Sequence, residues 1–159
     1  MVSEVCLGDA LFEGAKEVFE TMVFMNIEKS VEPEPRIADA TLFGSITFKG
    51  SIDGCLGLCC SLSCARTIAG NMLGLDAAGK LSEDDITDAV GEVVNMVMGS
   101  VKSRIQADVG NIEVSIPSVV TGRYLTNSLG DGATRVTAKV SIEEECDAEL
   151  SLLYRDNSR

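Results

Sequence analysis

Glu92 and Asn95 stand three positions apart and are the side chains of this sequence best suited to act on another molecule. They lie in the run GEVVNMVMGS at 91–100, and a separation of three is close to one helical turn, so a carboxylate and a carboxamide would share one face. A carboxylate held there can dock a cationic group. A carboxamide both donates and accepts hydrogen bonds and can position a water. Asp88 extends the pattern to Asp88-x3-Glu92-x2-Asn95, and Pro117 closes the next strand-like segment. The chain has no histidine, which removes the commonest general base, the Ser-His and Cys-His nucleophile pairs and the commonest zinc ligand. Catalysis must therefore come from carboxylates, amides, thiols, lysines or a partner's groups.

The helix that must present this pair can be drawn from its periodicity. With roughly 100° per residue and Asp88 at zero, Glu92 falls at roughly 40°, Asn95 at roughly −20°, Gly99 at roughly 20° and Lys102 at roughly −40°. Ile86, Val90, Val93, Val94, Val97 and Val101 spread over the opposite side. Ser82 is an apt N-cap, with Asp85 three residues on and Glu83, Asp84 and Asp85 at the positive end of the dipole. The helix is predicted to run to about Ala107, before Gly110-Asn111. Gly91 and Gly99 each cost about 1 kcal/mol relative to alanine inside a helix, so each needs a reason. At Gly99, on the polar stripe, the missing side chain would let another backbone approach Asn95; Gly91 is read as serving packing within the chain. Taken alone, an exposed Glu-x-x-Asn is most simply a solvated helix face.

Around this helix, apolar spacing through Leu11, Ala15, Val18, Phe19, Met22 and Met25 predicts a first helix over 7–25, with Asp9 as N-cap. Glu32-Pro33-Glu34-Pro35 reads as a linker loop. Thr41–Lys49 and Gly54–Leu62 read as an antiparallel hairpin turning at Gly50-Ser51-Ile52-Asp53. Ser63–Leu73 reads as a helix with Gly74 as its left-handed cap. Ile112–Ile116 reads as a strand ended by Pro117, which belongs at an edge or an end. Gly122–Gly132 reads as an exposed loop. Thr134–Ile142 and Ala148–Tyr154 read as a last hairpin with Glu143-Glu144-Glu145 at its tip, and Asp156–Arg159 as a frayed tail. The expected fold class is α+β, a mainly antiparallel sheet with long helices packed on it, in one domain over 1–159.

With 159 residues and 45% hydrophobic content, the chain can fill a real core. A net charge of −12 opposes binding to phosphate backbones and anionic membranes. The N-terminus does not read as a signal peptide and no apolar run approaches a membrane span, so a cytoplasmic protein is expected, with its six cysteines reduced. Cys55, Cys59, Cys60 and Cys64 cluster, but Cys59 and Cys60 are adjacent and would point to opposite faces of a strand. Small buried core residues are the first reading, with a metal site or redox regulation as alternatives. No cofactor or metal is assigned to this chain.

The segment Asp88-x3-Glu92-x2-Asn95, with Pro117 further on, resembles the signature of the CheC/CheX/FliY phosphatases of bacterial chemotaxis. GEVVNMVMGS is similar to the family's G-E-x-x-N-M-x-x-G core, and SIPSVVTG at 115–122 to the segment carrying its proline. Further upstream, VFETMVFM at 18–25, GSIDGCLGLCCSLS at 50–63 and ARTIAGNMLG at 65–74 resemble the preceding helix, hairpin and helix of the CheX branch. The likeness spans roughly residues 5–155. CheC-type chains carry two such sites; here the first helix offers only Asp9-x3-Glu13-x2-Lys16, with lysine where the amide belongs. A single motif favours CheX.

The resemblance implies a phosphatase for a phosphorylated CheY-like response regulator. Asn95 would orient the attacking water and Glu92 would pair with the regulator's lysine. Asp88 would support or rim the contact beside Gly99, and Pro117 would shape the site. It also implies Mg2+ in the partner's active site and a homodimer joined by strands into a continuous sheet. The alternative is a non-catalytic dimer that binds or scaffolds a regulator.

Overall fold

The computed structural model describes residues 3–30, 41–74, 80–122 and 132–157. The Glu32–Pro35 linker and most of the Gly122–Gly132 segment lie outside these residues. Along the chain run α1 (Glu4–Val18), a π-helical turn (Phe19–Val23), β1 (Ile27–Lys29), β2 (Thr41–Lys49), β3 (Ile52–Ser61), α2 (Leu62–Leu73), α3 (Glu83–Val109), β4 (Glu113–Val114), β5 (Ser118–Gly122), β6 (Thr134–Ile142) and β7 (Cys146–Asp156). The strands form a seven-stranded sheet in the order β1-β6-β7-β3-β2-β4, with β5 also on β2. Every pairing is antiparallel, so the chain is α+β as expected. α1 and α3 pack on each other and on this sheet, with α2 against α3.

The two strands of the first hairpin pair from Thr41↔Ser61 to Phe48↔Gly54. Gly50 N–H donates to Asp53 Oδ1 at 3.0 Å across the turn, a local side-chain-to-backbone bond of the kind that makes Asp a turn residue. The last hairpin turns at Glu143-Glu144-Glu145, with Glu145 N–H donating to the Ile142 carbonyl at 3.0 Å. Its two leading glutamates have positive φ, 52° and 59°, matching the sign pattern that the sheet twist favours in tight hairpins.

Several expectations are corrected. α1 starts at Glu4 with Ser3, not Asp9, as N-cap: the Cys6 N–H donates to Ser3 Oγ at 3.1 Å. Gly8 does not delay the helix because it packs inside it, where an added Cβ would sit 3.4 Å from Val136 Cγ1. The α-helix also does not continue to Met25. The π turn adds a residue to the repeat and shifts the apolar phase, so Met22 is 47% exposed while Val23 is fully buried. Phe24, with φ of 61°, ends the turn.

Two strands escape the sequence reading, β1 and β5. The segment expected as a strand over Ile112–Ile116 pairs only at Glu113–Val114, and Asp156 belongs to β7 rather than to a frayed tail, with Asn157 N–H donating to the Ser51 carbonyl at 2.7 Å.

Alternation in β3 puts Cys60 on the core face and Cys55 and Cys59 on the other, where Cys55 is buried and Cys59 partly exposed. Burial pushes the Cys60 thiol up to about 12, which keeps it protonated and a poor nucleophile at neutral pH. Among the described residues no group of three or more His, Cys, Asp or Glu side chains is placed to hold a metal. The expectation that all six cysteines are reduced fails at Cys64, which is disulfide-bonded to Cys146. The partner lies 82 residues away; the β3–β7 register, with Cys60 opposite Ala148, is what brings the start of β7 to the start of α2.

Candidate functional site

α3 is held down by a continuous buried side: Ile86, Ala89, Val90, Val93, Val94, Val97, Met98, Val101 and Ile105 are all 5% exposed or less. Burial of this order is worth roughly 1.5–3 kcal/mol per large aliphatic side chain, which makes α3 a rigid support. Its start is fixed by a capping box, with Asp85 N–H donating to Ser82 Oγ and Ser82 N–H to Asp85 Oδ2, both at 3.1 Å. Opposite the buried side, Asp88, Glu92, Asn95 and Gly99 are exposed. None of these side chains has a hydrogen bond or ion pair among the described residues.

Two glycines seat α3. A Cβ at Gly44 of β2 would lie 2.9 Å from Val94 Cγ2 and 3.2 Å from Val90 Cγ1, so the helix needs a bare backbone beneath it. Gly91 faces the other way, toward the edge of the sheet. A Cβ there would meet Val119 Cγ2 at 3.6 Å and Pro117 Cγ at 3.7 Å. β5 pairs with β2 in the register Gly44↔Val119, so Val119 sits between sheet and helix. Pro117 falls in the break between β4 and β5 on the β2 edge, where a residue lacking an N–H costs no ladder bond.

Asp88, Glu92, Gly91, Pro117, Thr87 and Val119 line a shallow depression of about 280 Å³. Asn95 lies one turn further along the same face, and Gly99 one turn beyond that. An added Cβ at Gly99 would meet nothing within 4 Å. The polar stripe is therefore open to an incoming molecule along its length. Thr87, Val119 and the neighbouring Ile116, which is 87% exposed, were not singled out in the sequence. Val119 turns inward and Val120 outward in β5, a difference that two adjacent valines do not announce in the sequence. In the first helix Asp9 and Glu13 are exposed, and Lys16 pairs with Glu20 at 3.7 Å, so no second carboxylate-amide pair arises there.

Below the stripe, α1 is tied to α3. Gly14 lets the helices approach, since a Cβ there would lie 3.1 Å from Val101 Cγ2. Glu17 Oε2 accepts from Ser100 Oγ and Arg104 Nη2, each at 2.8 Å. These bonds, Ser100 first and Arg104 second, hold the Glu17 carboxyl below its ordinary value. A depressed folded-state pKa means the stabilisation is present above the unfolded value of 4.5 and is lost as pH falls through the lower folded value. The expected result is a denaturation-midpoint difference between wild type and Glu17→Gln that shrinks below pH 4.5. Because Glu17 is an exposed group, the effect is small.

The family model described as chemotaxis phosphatase CheX matches residues 42–141. Among solved structures, a CheX from Desulfovibrio desulfuricans superposes with a TM-score of 0.78 at 18% identity, covering 94% of this chain and 99% of that one. A CheX from Vibrio vulnificus gives 0.78 at 23% identity, covering 98% and 100%. The CheX of a CheX-CheY-BeF3-Mg2+ complex from Borrelia burgdorferi gives 0.75 at 14% identity, covering 92% and 96%. At these identities the structural likeness speaks for the fold. No protein of curated function matches the chain. No helix among the described residues is long and apolar enough to cross a membrane.

Proposed function

The chain belongs to the chemotaxis phosphatase CheX family, and from that premise we propose that it accelerates dephosphorylation of a CheY-like response regulator through Asn95 and Glu92. The observation that carries the reading is an exposed, unpaired carboxylate-carboxamide pair on a helix whose other side is fully buried. The partner is inferred from the Borrelia burgdorferi relative, which was solved with CheY, beryllium fluoride and magnesium.

In this mechanism water attacks the phosphorus of the regulator's aspartyl phosphate in line. The bond from phosphorus to the aspartyl oxygen breaks, leaving the aspartate carboxylate, inorganic phosphate and a proton released to solvent. Phosphoryl transfer needs little covalent help, so positioning and electrostatics carry the acceleration. Asn95 Oδ1 accepts a hydrogen bond from the water, and Nδ2 is free to donate to a phosphoryl oxygen. Glu92 pairs with the regulator's lysine and fixes the register of docking. Mg2+ in the regulator's own site, where bound, would supply neutralisation of the phosphoryl charge. Asp88 rims the contact, Pro117 and Gly91 shape the hollow beside Glu92, and the open surface at Gly99 gives the partner's backbone access to Asn95. Among the described residues β5 pairs with β2 alone, and its outer edge is our candidate for the sheet-to-sheet homodimer that the family resemblance implies.

The test of docking is steady-state hydrolysis with Glu92→Ala. The expected result is a raised KM, with kcat affected less, because the carboxylate acts through register. Unchanged KM and kcat would remove Glu92 from the mechanism.

A further inference from the structure

We propose that the face between the start of α2 and the first turns of α3 extends the docking surface for the same phosphorylated regulator, with Arg66 binding a carboxylate of that partner. The inference rests on the function proposed above and adds to it a residue that sets affinity and partner choice.

Next to the hollow at Glu92 lies a second one of about 210 Å³, lined by Leu62, Arg66, Glu83 and Asp84 together with Thr87 and Val119. Thr87 and Val119 line both hollows, so the two form one surface. Leu62 and Arg66 are four residues apart on α2 and share a face. Leu62 is 37% exposed, and Ile116, the neighbour of Pro117 in the first hollow, is 87% exposed. Exposed apolar surface therefore accompanies the charged residues of this face.

Charge identifies the occupant. Apart from Arg66, every ionisable residue among the described ones lining the two hollows is acidic: Glu83, Asp84, Asp88 and Glu92. The chain as a whole carries −12. An aspartyl phosphate held beside metal-binding carboxylates makes the partner's facing surface acidic too, so two acidic faces must meet. Complementarity must then be local. Arg66 is the one cation among the described residues lining this surface. It is exposed and forms no ion pair with the acids around it. An exposed guanidinium presents a planar fork that matches a carboxylate in two parallel hydrogen bonds, which lysine does not reproduce.

The test uses a regulator loaded with beryllium fluoride and magnesium, a stable stand-in for the phosphorylated state. It is titrated with wild type, Arg66→Glu, Arg66→Lys and the control Lys49→Glu, which makes the same charge change at the far end of β2. Hydrolysis of the phosphorylated regulator is measured alongside. Arg66→Glu should raise Kd and KM about tenfold or more with kcat nearly unchanged. Arg66→Lys should fall between it and wild type, and Lys49→Glu should stay near wild type. Equal binding by Arg66→Glu and Lys49→Glu overturns the proposal while leaving the phosphatase reading intact. So does an Arg66→Glu variant that changes the association of the chain with itself in sedimentation but not its affinity for the regulator. A wild type that neither binds nor hydrolyses the regulator removes both.

Discussion

Replacing Asn95 with alanine is expected to lower the accelerated rate of phosphate release on the order of 100-fold while leaving affinity for the regulator nearly unchanged. The size follows from what the amide does. It makes contacts that matter when water is aligned with phosphorus, and few of those contacts exist in the docked ground state. Asn95 is exposed and has no hydrogen bond within the described chain, so its loss disturbs neither the packing of α3 nor a neighbour. Single-turnover hydrolysis at saturating enzyme, with Kd measured separately, distinguishes this from a docking defect. A variant that hydrolyses at the wild-type rate removes Asn95 from the mechanism.

Gly54→Ala is expected to cost about 3 kcal/mol of stability, more than any single change on the exposed stripe. Gly54 sits in β3 between Phe48 of β2 and Tyr154 of β7. A Cβ there would overlap the Leu153 carbonyl oxygen and lie 2.7 Å from Phe48 Cζ and 2.9 Å from Tyr154 Cα. Two of these contacts are backbone atoms, which a rotamer change cannot move. Relief requires opening the β3–β7 ladder in the middle of the sheet. Equilibrium denaturation should show a lower midpoint with a slope close to wild type. A midpoint near wild type would mean that the sheet relaxes there at little cost.

Much of this architecture was legible because local rules and tertiary needs agree. The Ser82 cap, the buried valines of α3, the hairpin over Thr41–Ser61 and the Gly74 cap each combine a residue's own conformational preference with the apolar pattern around it. The exposed stripe was legible for the same reason: the burial of Val90, Val94 and Val97 leaves Asp88, Glu92 and Asn95 outward. What could not be read depended on distant partners. β5 is five residues long and exists as a strand through its pairing with β2. The Cys64–Cys146 bond joins residues 82 apart, and no local spacing announces it. The π turn at Phe19–Val23 keeps helical composition while changing the phase of burial, so a period of 3.6 carried past Val18 misplaces Met22. The hollow at Glu92 was half legible: Glu92 and Pro117 came from the motif, whereas Thr87 and Val119 required knowing that β5 lies against α3.

In the function proposed here, the carboxylate-carboxamide pair on α3 turns over a phosphorylated regulator instead of merely holding it. Phosphate release from excess phosphorylated regulator, with the chain present at a small fraction of its concentration, tests this directly. The expected result is acceleration that continues through many equivalents and collapses in the Asn95→Ala variant. A release rate equal to that of the regulator alone, or slower because the phosphorylated form is sequestered, would contradict it.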